Sequence, residues 1–162
     1  VFTVMVDQFW KALPPDYEQQ VGTRGLSLLE AVTFASLIEL ETASDDERSL
    51  VSEVIWNRLK MPMALGIDAA IIYGIPNYQG DITSKHLQDT SNPYNLRLHP
   101  GLPPSPIGSP SLASLLAVLS PSQFGYLYYV VDPNTPGRHA FAKSITEHNR
   151  NVRAYVKSLK KR

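Results

Sequence analysis

Three times the chain repeats Ser-x-x-Glu just ahead of an apolar stretch of helical spacing: Ser27 with Glu30, Ser44 with Glu47 and Ser144 with Glu147. In such a box the serine oxygen accepts from the backbone amide three residues on, and the glutamate reaches back to the serine amide, so each pair nominates a helix start. The first predicts helix over 27–40. The second predicts helix over 44–60 with Leu50, Val51, Val54 and Ile55 as its inner stripe, and the two are expected to form an antiparallel pair. The third opens the last helix. A short helix over 4–13 stops at Pro14 and Pro15, where the ring removes a donor and bars helical angles from the residue before it. Ser109 with Pro110 at the first helical position predicts another, with Leu112, Leu115, Leu116 and Leu119 on its buried side. Residues 126–132 and 138–142 flank a Pro/Gly-containing turn and read as a hairpin. The fold class is therefore α+β: a helical part with an antiparallel helix pair, plus a small β-sheet that includes a C-terminal hairpin followed by a helix.

Between these elements, residues 76–109 read mostly as loop, too long to be idle in a compact domain. Pro100, Pro103, Pro104, Pro106 and Pro110 stiffen its end, which makes that stretch a rigid groove wall. Pro103 to Pro106 also matches PxxP, a weak ligand pattern for SH3-type domains. A chain of 162 residues suffices for one domain that buries roughly 70% of its unfolded surface. Fifteen basic and fifteen acidic residues cancel, and the one basic block is Lys157, Lys160, Lys161 and Arg162, so nucleic acid is not an expected partner. No window approaches the ~18–20 apolar residues of a bilayer span, no leader pattern opens the chain, and as given it reads as a soluble piece. Without cysteine there is no disulfide, thiolate metal site or Cys nucleophile. No internal repeat is present.

The stretch Ser36–Ser44, SLIELETAS, carries two acids two residues apart. At ~100° per residue, Leu28, Leu29, Val32, Ala35 and Ile38 spread over one arc, with Glu39 at about 20°, near its centre, and Glu41 at about 220°. Glu41 thus takes an ordinary solvated or pairing position, while Glu39 occupies a leucine's place. A carboxylate among apolar side chains either finds partners or keeps its proton, which is what a general acid requires. Two readings stand open from this helix alone: a general acid, or a buried structural glutamate tied to Arg58 or to a backbone amide. Ser36 and Thr42 on the same side suggest a polar pocket. Asn57 and Arg58 repeat the anomaly on the second helix, and Asp68 and Tyr73 lie amid apolar residues in LGIDAAIIYG.

Taken in order, ASLIELETA, VIWNRL, the Met63-Ala-Leu-x-x-Asp68 to Tyr73-Gly74 segment, NPYN (92–95), GLPPSPIGSP (101–110), YLYYVV (126–131) and His139-x-Phe141 followed by Glu147-His148-Asn149 resemble the endolytic murein transglycosylase family, the MltG or YceG-like group. The resemblance runs over about 26–155 and makes residues 1–162 a single YceG-like catalytic domain; the family's N-terminal membrane anchor and LysM-like subdomain are not evident in this chain. It departs from the family where Gln-Thr-Asp-Pro-Thr reads Gly66, Ile67, Asp68, Ala69, Ala70, and where the threonine after PYN is Leu96.

The resemblance implies cleavage within peptidoglycan glycan strands at the extracytoplasmic face of the bacterial cell membrane. The membrane would be met only through a tether, with cell-wall synthesis enzymes as further partners. It maps the catalytic glutamate onto Glu39, the residue the helical wheel also singles out, and expects Ser36, Asn57, Arg58, Asp68, Tyr73, Tyr94, Asn95 and Pro104 to bind the sugar. A water-using glycosidase generally needs two carboxylates across the scissile bond. A lytic transglycosylase needs one, because the muramic acid 6-hydroxyl replaces water, leaving a 1,6-anhydro end. The alternatives are a muramidase-type hydrolase with Asp68 as second carboxylate, and a non-catalytic wall-binding module. His148 shares a face with Ile145 and Val152 and reads as a satisfied core histidine. His139 and His148 lack further metal ligands, so neither metal nor cofactor is expected. Residues 92–95 and 101–110 are expected beside Glu39, lining one groove.

Overall fold

A computed structural model describes residues 1–160; Lys161 and Arg162 of the terminal basic cluster lie outside the described residues. In chain order the elements are α1 (Phe2–Ala12), α2 (Tyr17–Thr23), α3 (Leu28–Glu41), a 3₁₀ turn (Asp45–Glu47), α4 (Arg48–Lys60), α5 (Asp68–Tyr73), α6 (Ser84–Leu87), α7 (Leu112–Leu119), β1 (Tyr128–Val131), β2 (His139–Ala142) and α8 (Ile145–Leu159). This is the expected α+β arrangement.

Two of the three boxes cap helices. Ser27 Oγ accepts from Glu30 N at 3.2 Å while Glu30 Oε2 accepts from Ser27 N at 2.8 Å, and Ser144 Oγ accepts from Glu147 N at 3.2 Å. The Ser44 box does not form. Ser44 Oγ donates to Asp46 Oδ1 instead, the Glu47 carboxylate turns to Thr42 and His139, and α4 begins only at Arg48 after the 3₁₀ turn. A buried tertiary partner thus outcompetes a local cap. Likewise α7 is capped by Ser111, whose Oγ accepts from Ser114 N, and not by Ser109. Leu115 is buried as expected, whereas Leu112 and Leu116 are exposed.

Helix α3 runs through the middle and packs on α2, α4, α5 and α7. Phe34 stacks obliquely on Trp56 with centroids 5.2 Å apart, Trp56 Nε1 donates to the Val118 carbonyl at 3.0 Å, and Tyr17 Oη donates to the Leu115 carbonyl at 2.8 Å. Each aromatic buries a large apolar body, worth roughly 1.5–3 kcal/mol, while its polar handle finds an acceptor.

The long connection is ordered by its asparagines. Asn95 Nδ2 reaches the carbonyls of His86, Leu87 and Asp89, and Asn92 Nδ2 donates to the Ile71 carbonyl at 3.1 Å. Gly74 is required here, because a Cβ would collide with the Asn92 side chain.

Strands β1 and β2 pair antiparallel from Tyr128↔Ala142 to Val131↔His139. A two-stranded sheet is marginal by itself, and this one is held from both sides. Helix α8 packs on it, and α4 grips the chain entering β1: Glu53 Oε1 accepts from the amides of Gly125 and Tyr126, Asn57 Nδ2 donates to the Tyr126 carbonyl at 2.9 Å, and Arg58 Nε donates to the Leu127 carbonyl at 2.7 Å. Asn57→Ala would leave that carbonyl unpaired and should lower the unfolding free energy by about 1–3 kcal/mol. Urea denaturation measures the loss, and faster amide exchange at Leu127, which donates to Ala142, should accompany it.

Candidate active site

The two acids of the α3 C-terminus meet opposite environments, and neither is the one the helical wheel assigns. Helix α3 is enclosed on nearly every side, with Ala31, Thr33, Phe34, Ala35, Ser36, Leu37 and Ile38 all buried, while Leu29, a member of the supposed inner arc, is 61% exposed. Glu39 is therefore not wrapped in apolar side chains. Its Oε2 accepts from Arg48 Nη1 (3.1 Å), Ser111 N (3.0 Å), Ser111 Oγ (2.6 Å) and Ser114 Oγ (2.7 Å). Partial desolvation opposes the charge, but the two serine hydroxyls, the Ser111 amide and Arg48 together outweigh it and hold the carboxyl down to about 2. The amide and hydroxyls belong to the first turn of α7, where the helix dipole also favours an anion. The partners of Glu39 are thus Arg48 and the first turn of α7, and not Arg58.

Glu41 lies four residues beyond Leu37 and seven beyond Phe34, both fully buried, so it points inward with them. That spacing was the signal available in the sequence. The side chain opens into a cleft of about 380 Å³ lined by Glu41, Arg58, Gly66, Asp68, Arg97 and Tyr129, with Leu65, Val130, His148 and Val152 completing its walls. Tyr129 Oη donates to Glu41 Oε2 at 2.6 Å. Burial raises the Glu41 pKa above the ordinary glutamate value; the Tyr129 hydrogen bond and the fields of His139 and Arg58 pull the other way without cancelling it, and Asp68 adds to the rise. A carboxyl of this kind holds its proton longer than a free one, the condition for a general acid.

Asp68 faces the same cleft but is held bidentately by Arg97, at 2.9 Å to Nε and 3.1 Å to Nη2. Arg58 also lines it, fixed by the carbonyls of Ala64, Leu65 and Leu127 and set over the Tyr128 ring. Gly66 occupies φ +65, a left-handed conformation that side chains rarely adopt, with its amide on the Leu96 carbonyl; a Cβ there would make ordinary contact with Arg58 Nη1 at 3.5 Å.

The remaining expected residues do not converge on this cleft. Ser36 is buried and bridges the Thr33 carbonyl and the Ile107 amide. Asn57 grips Tyr126 and lines a different cleft, with Arg24, Glu53 and Trp56. Asn95 is buried in loop-fixing hydrogen bonds. Tyr73 and Tyr94 pack edge-to-face, and Tyr94 shares a hydrogen bond with Ser105; Pro104 is exposed. Of the 101–110 stretch, Ile107 bonds to α3, Gly108 lies against Leu40, and Ser111 just beyond holds Glu39. Four polar residues of the cleft were absent from the sequence reading as site members: Glu41, Arg97, Tyr129 and His148. His148 is not a satisfied core histidine, since its ring stacks on Tyr128 with centroids 5.1 Å apart while Nδ1 is buried with no partner among the described residues. Among the described residues no group of three or more His, Asp or Glu is placed to hold a metal ion.

The depressed Glu39 carboxyl makes a prediction about stability. A group held at about 2 against an ordinary 4.5 contributes stability that is fully present above about pH 4.5 and is lost as pH falls toward 2. Glu39→Gln should therefore cost on the order of 2–3 kcal/mol at neutral pH. The gap in melting temperature between parent and variant should close progressively between those two pH values, as thermal scans by circular dichroism would read.

Comparison with known proteins shows the family of the chain. The model of the YceG-like family matches residues 1–154. Among curated proteins, the endolytic murein transglycosylase of Bacillus subtilis (strain 168) is 32% identical over 142 residues, covering 88% of this chain and 39% of that protein. That of Streptococcus pneumoniae (serotype 2, strain D39) is 34% identical over 152 residues, covering 91% of this chain and 27% of its own length. The chain thus spans well under half of either relative. A crystal structure of a yceG-like protein from Listeria monocytogenes superposes with a TM-score of 0.73 at 30% identity, over 83% of this chain and 42% of that one. This chain belongs to the YceG-like family.

Proposed function

We propose that the cleft around Glu41 cuts glycan strands of peptidoglycan internally, as a lytic transglycosylase, with Glu41 and not Glu39 as the single group that serves first as acid and then as base. The observation that carries the reading is a partly buried carboxyl of raised pKa opening into a cleft whose other carboxylate is already neutralised by an arginine. The names of the Bacillus and Streptococcus relatives supply the substrate class.

In the first step the Glu41 proton passes to the glycosidic oxygen, the bond from that oxygen to C1 of the N-acetylmuramic acid breaks, and positive charge develops at C1. In the second, the 6-hydroxyl oxygen of the same sugar bonds to C1 and its proton returns to Glu41. Nothing is consumed, and one carboxyl completes the cycle. An inverting or retaining hydrolase would need Asp68 free to activate water or to attack C1, and its bidentate pairing with Arg97 speaks against either role. Because the substrate is the wall polymer, this reading sets the reaction on the extracytoplasmic side of the membrane, among the enzymes that extend the strands.

The test is mass spectrometry of products from purified glycan strands. The parent chain should release fragments ending in 1,6-anhydro-muramic acid. Glu41→Gln, which keeps shape but cannot shuttle a proton, should lose at least ~10²–10⁴ in kcat, whereas Glu39→Gln, assayed below its lowered melting temperature, should retain most of its turnover. Reducing ends would assign a hydrolase instead, and binding without any cleavage by the parent would assign a wall-binding module.

A further inference from the structure

The two oxygens of Glu41 are not equivalent. Oε2 accepts the Tyr129 hydroxyl at 2.6 Å, while Oε1 takes no hydrogen bond among the described residues and is not one of the buried unpartnered atoms, so it keeps contact with the cleft. The phenol is itself fixed. Tyr129 sits in β1 opposite Phe141, its ring packed at 5.4 Å and near right angles against His139 and at 5.8 Å against Phe141. His139 is anchored in turn by Glu47, which accepts from both its backbone amide and its ring Nδ1 at 2.8 Å.

We propose that Tyr129 is a positioning residue for the reaction: its hydroxyl pins Oε2 of Glu41, so that Oε1 is the oxygen that delivers the proton to the leaving glycosidic oxygen and takes back that of the 6-hydroxyl. The inference rests on the assignment of Glu41 as the acid and base.

A carboxyl with both oxygens free can turn about its terminal torsion, which is broad and two-fold, and present its proton in several directions. Pinning one oxygen removes that freedom before substrate arrives, which is how positioning contributes to rate. The donor is permanent, because burial and the adjacent carboxylate push the Tyr129 phenol well above its ordinary value.

The same hydrogen bond tunes the acid. A donor to the carboxylate favours its charged form, so Tyr129 restrains the rise that burial imposes. The other charged groups around Glu41 are Arg58 of α4 and His139 of β2, which also favour the anion, and Asp68 of α5, which opposes it; His148 of α8 and Arg97 line the same cleft. Since the first step needs Glu41 protonated, activity is present below its pKa and lost as pH rises through it. Removing the Tyr129 donor raises that pKa and should carry the alkaline limb upward.

The experiment is the pH dependence of kcat and KM for Tyr129→Phe on purified glycan strands, beside the parent and Glu41→Gln. Phenylalanine keeps the ring and its packing. The expected result is a kcat at the optimum about tenfold lower, comparable to the worth of one hydrogen bond to a charged group, with KM unchanged and the alkaline limb at higher pH. Site-specific replacement of Tyr129 by 3-fluorotyrosine gives a second reading that does not depend on the phenylalanine variant folding. Its more acidic hydroxyl should donate more strongly and move the limb to lower pH. A limb that stays in place in both proteins overturns the inference, since a purely architectural tyrosine would alter stability alone. If Glu41→Gln itself remains active, it is the assignment of Glu41 that fails. If that variant is dead and the limbs of the Tyr129 variants are unmoved, only the role of Tyr129 falls.

Discussion

The α4 helix holds the chain that leads into β1, and the site depends on that grip. A two-stranded sheet is marginal by itself in water, yet here it must present Tyr129 to a carboxylate on α3. Glu53 takes the Gly125 and Tyr126 amides, Asn57 the Tyr126 carbonyl and Arg58 the Leu127 carbonyl. Consecutive backbone groups that would otherwise lie half-buried and unpaired are satisfied by successive turns of one helix. From the preceding 3₁₀ turn, Glu47 does the same for His139 at the far end of the hairpin. The sheet is thereby registered against α3, and the cleft around Glu41 opens between them.

Within that frame the α3 C-terminus divides two tasks between two identical side chains. Glu39 meets four donors and is held as an anion, tying α3 to Arg48 of α4 and to the first turn of α7. Glu41 meets one hydroxyl and a partly apolar cleft, and holds its proton to a higher pH than a free carboxyl would. Residue type therefore does not decide pKa; the number of donors against the degree of desolvation does. The difference also separates what each loss should look like, stability for one and turnover for the other.

Much of this was legible in the chain. The prolines at 14 and 15, the boxes at Ser27 and Ser144 and the alternation in the hairpin act through neighbours a few residues away, so sequence spacing was enough to read them. The ordered family motifs were legible as well. Reading failed where a distant partner competed with a local one. Glu47 had a Ser44 cap within reach and took His139 instead. Asn57, Ser36 and Asn95 are polar residues in apolar company because they satisfy backbone groups, the commonest reason for such a pattern. The helical wheel misjudged Glu39 and Glu41 because it presumes one inner face, whereas α3 is surrounded by α2, α4, α5 and α7.

What the sequence determined by itself was helices α1, α3, α4, α7 and α8, the hairpin and the family, since these rest on periodicity, capping and ordered motifs, whereas the short helices α2, α5 and α6 carry too few turns to show a period. Which of two glutamates two residues apart has its pKa raised and which has it lowered was decided only by tertiary structure. One turns toward the serines and first-turn amide of α7 and the other toward a cleft walled by β1; spacing can show that a side chain points inward, but a pKa is set by what surrounds the group in space, here across separations of seventy residues or more.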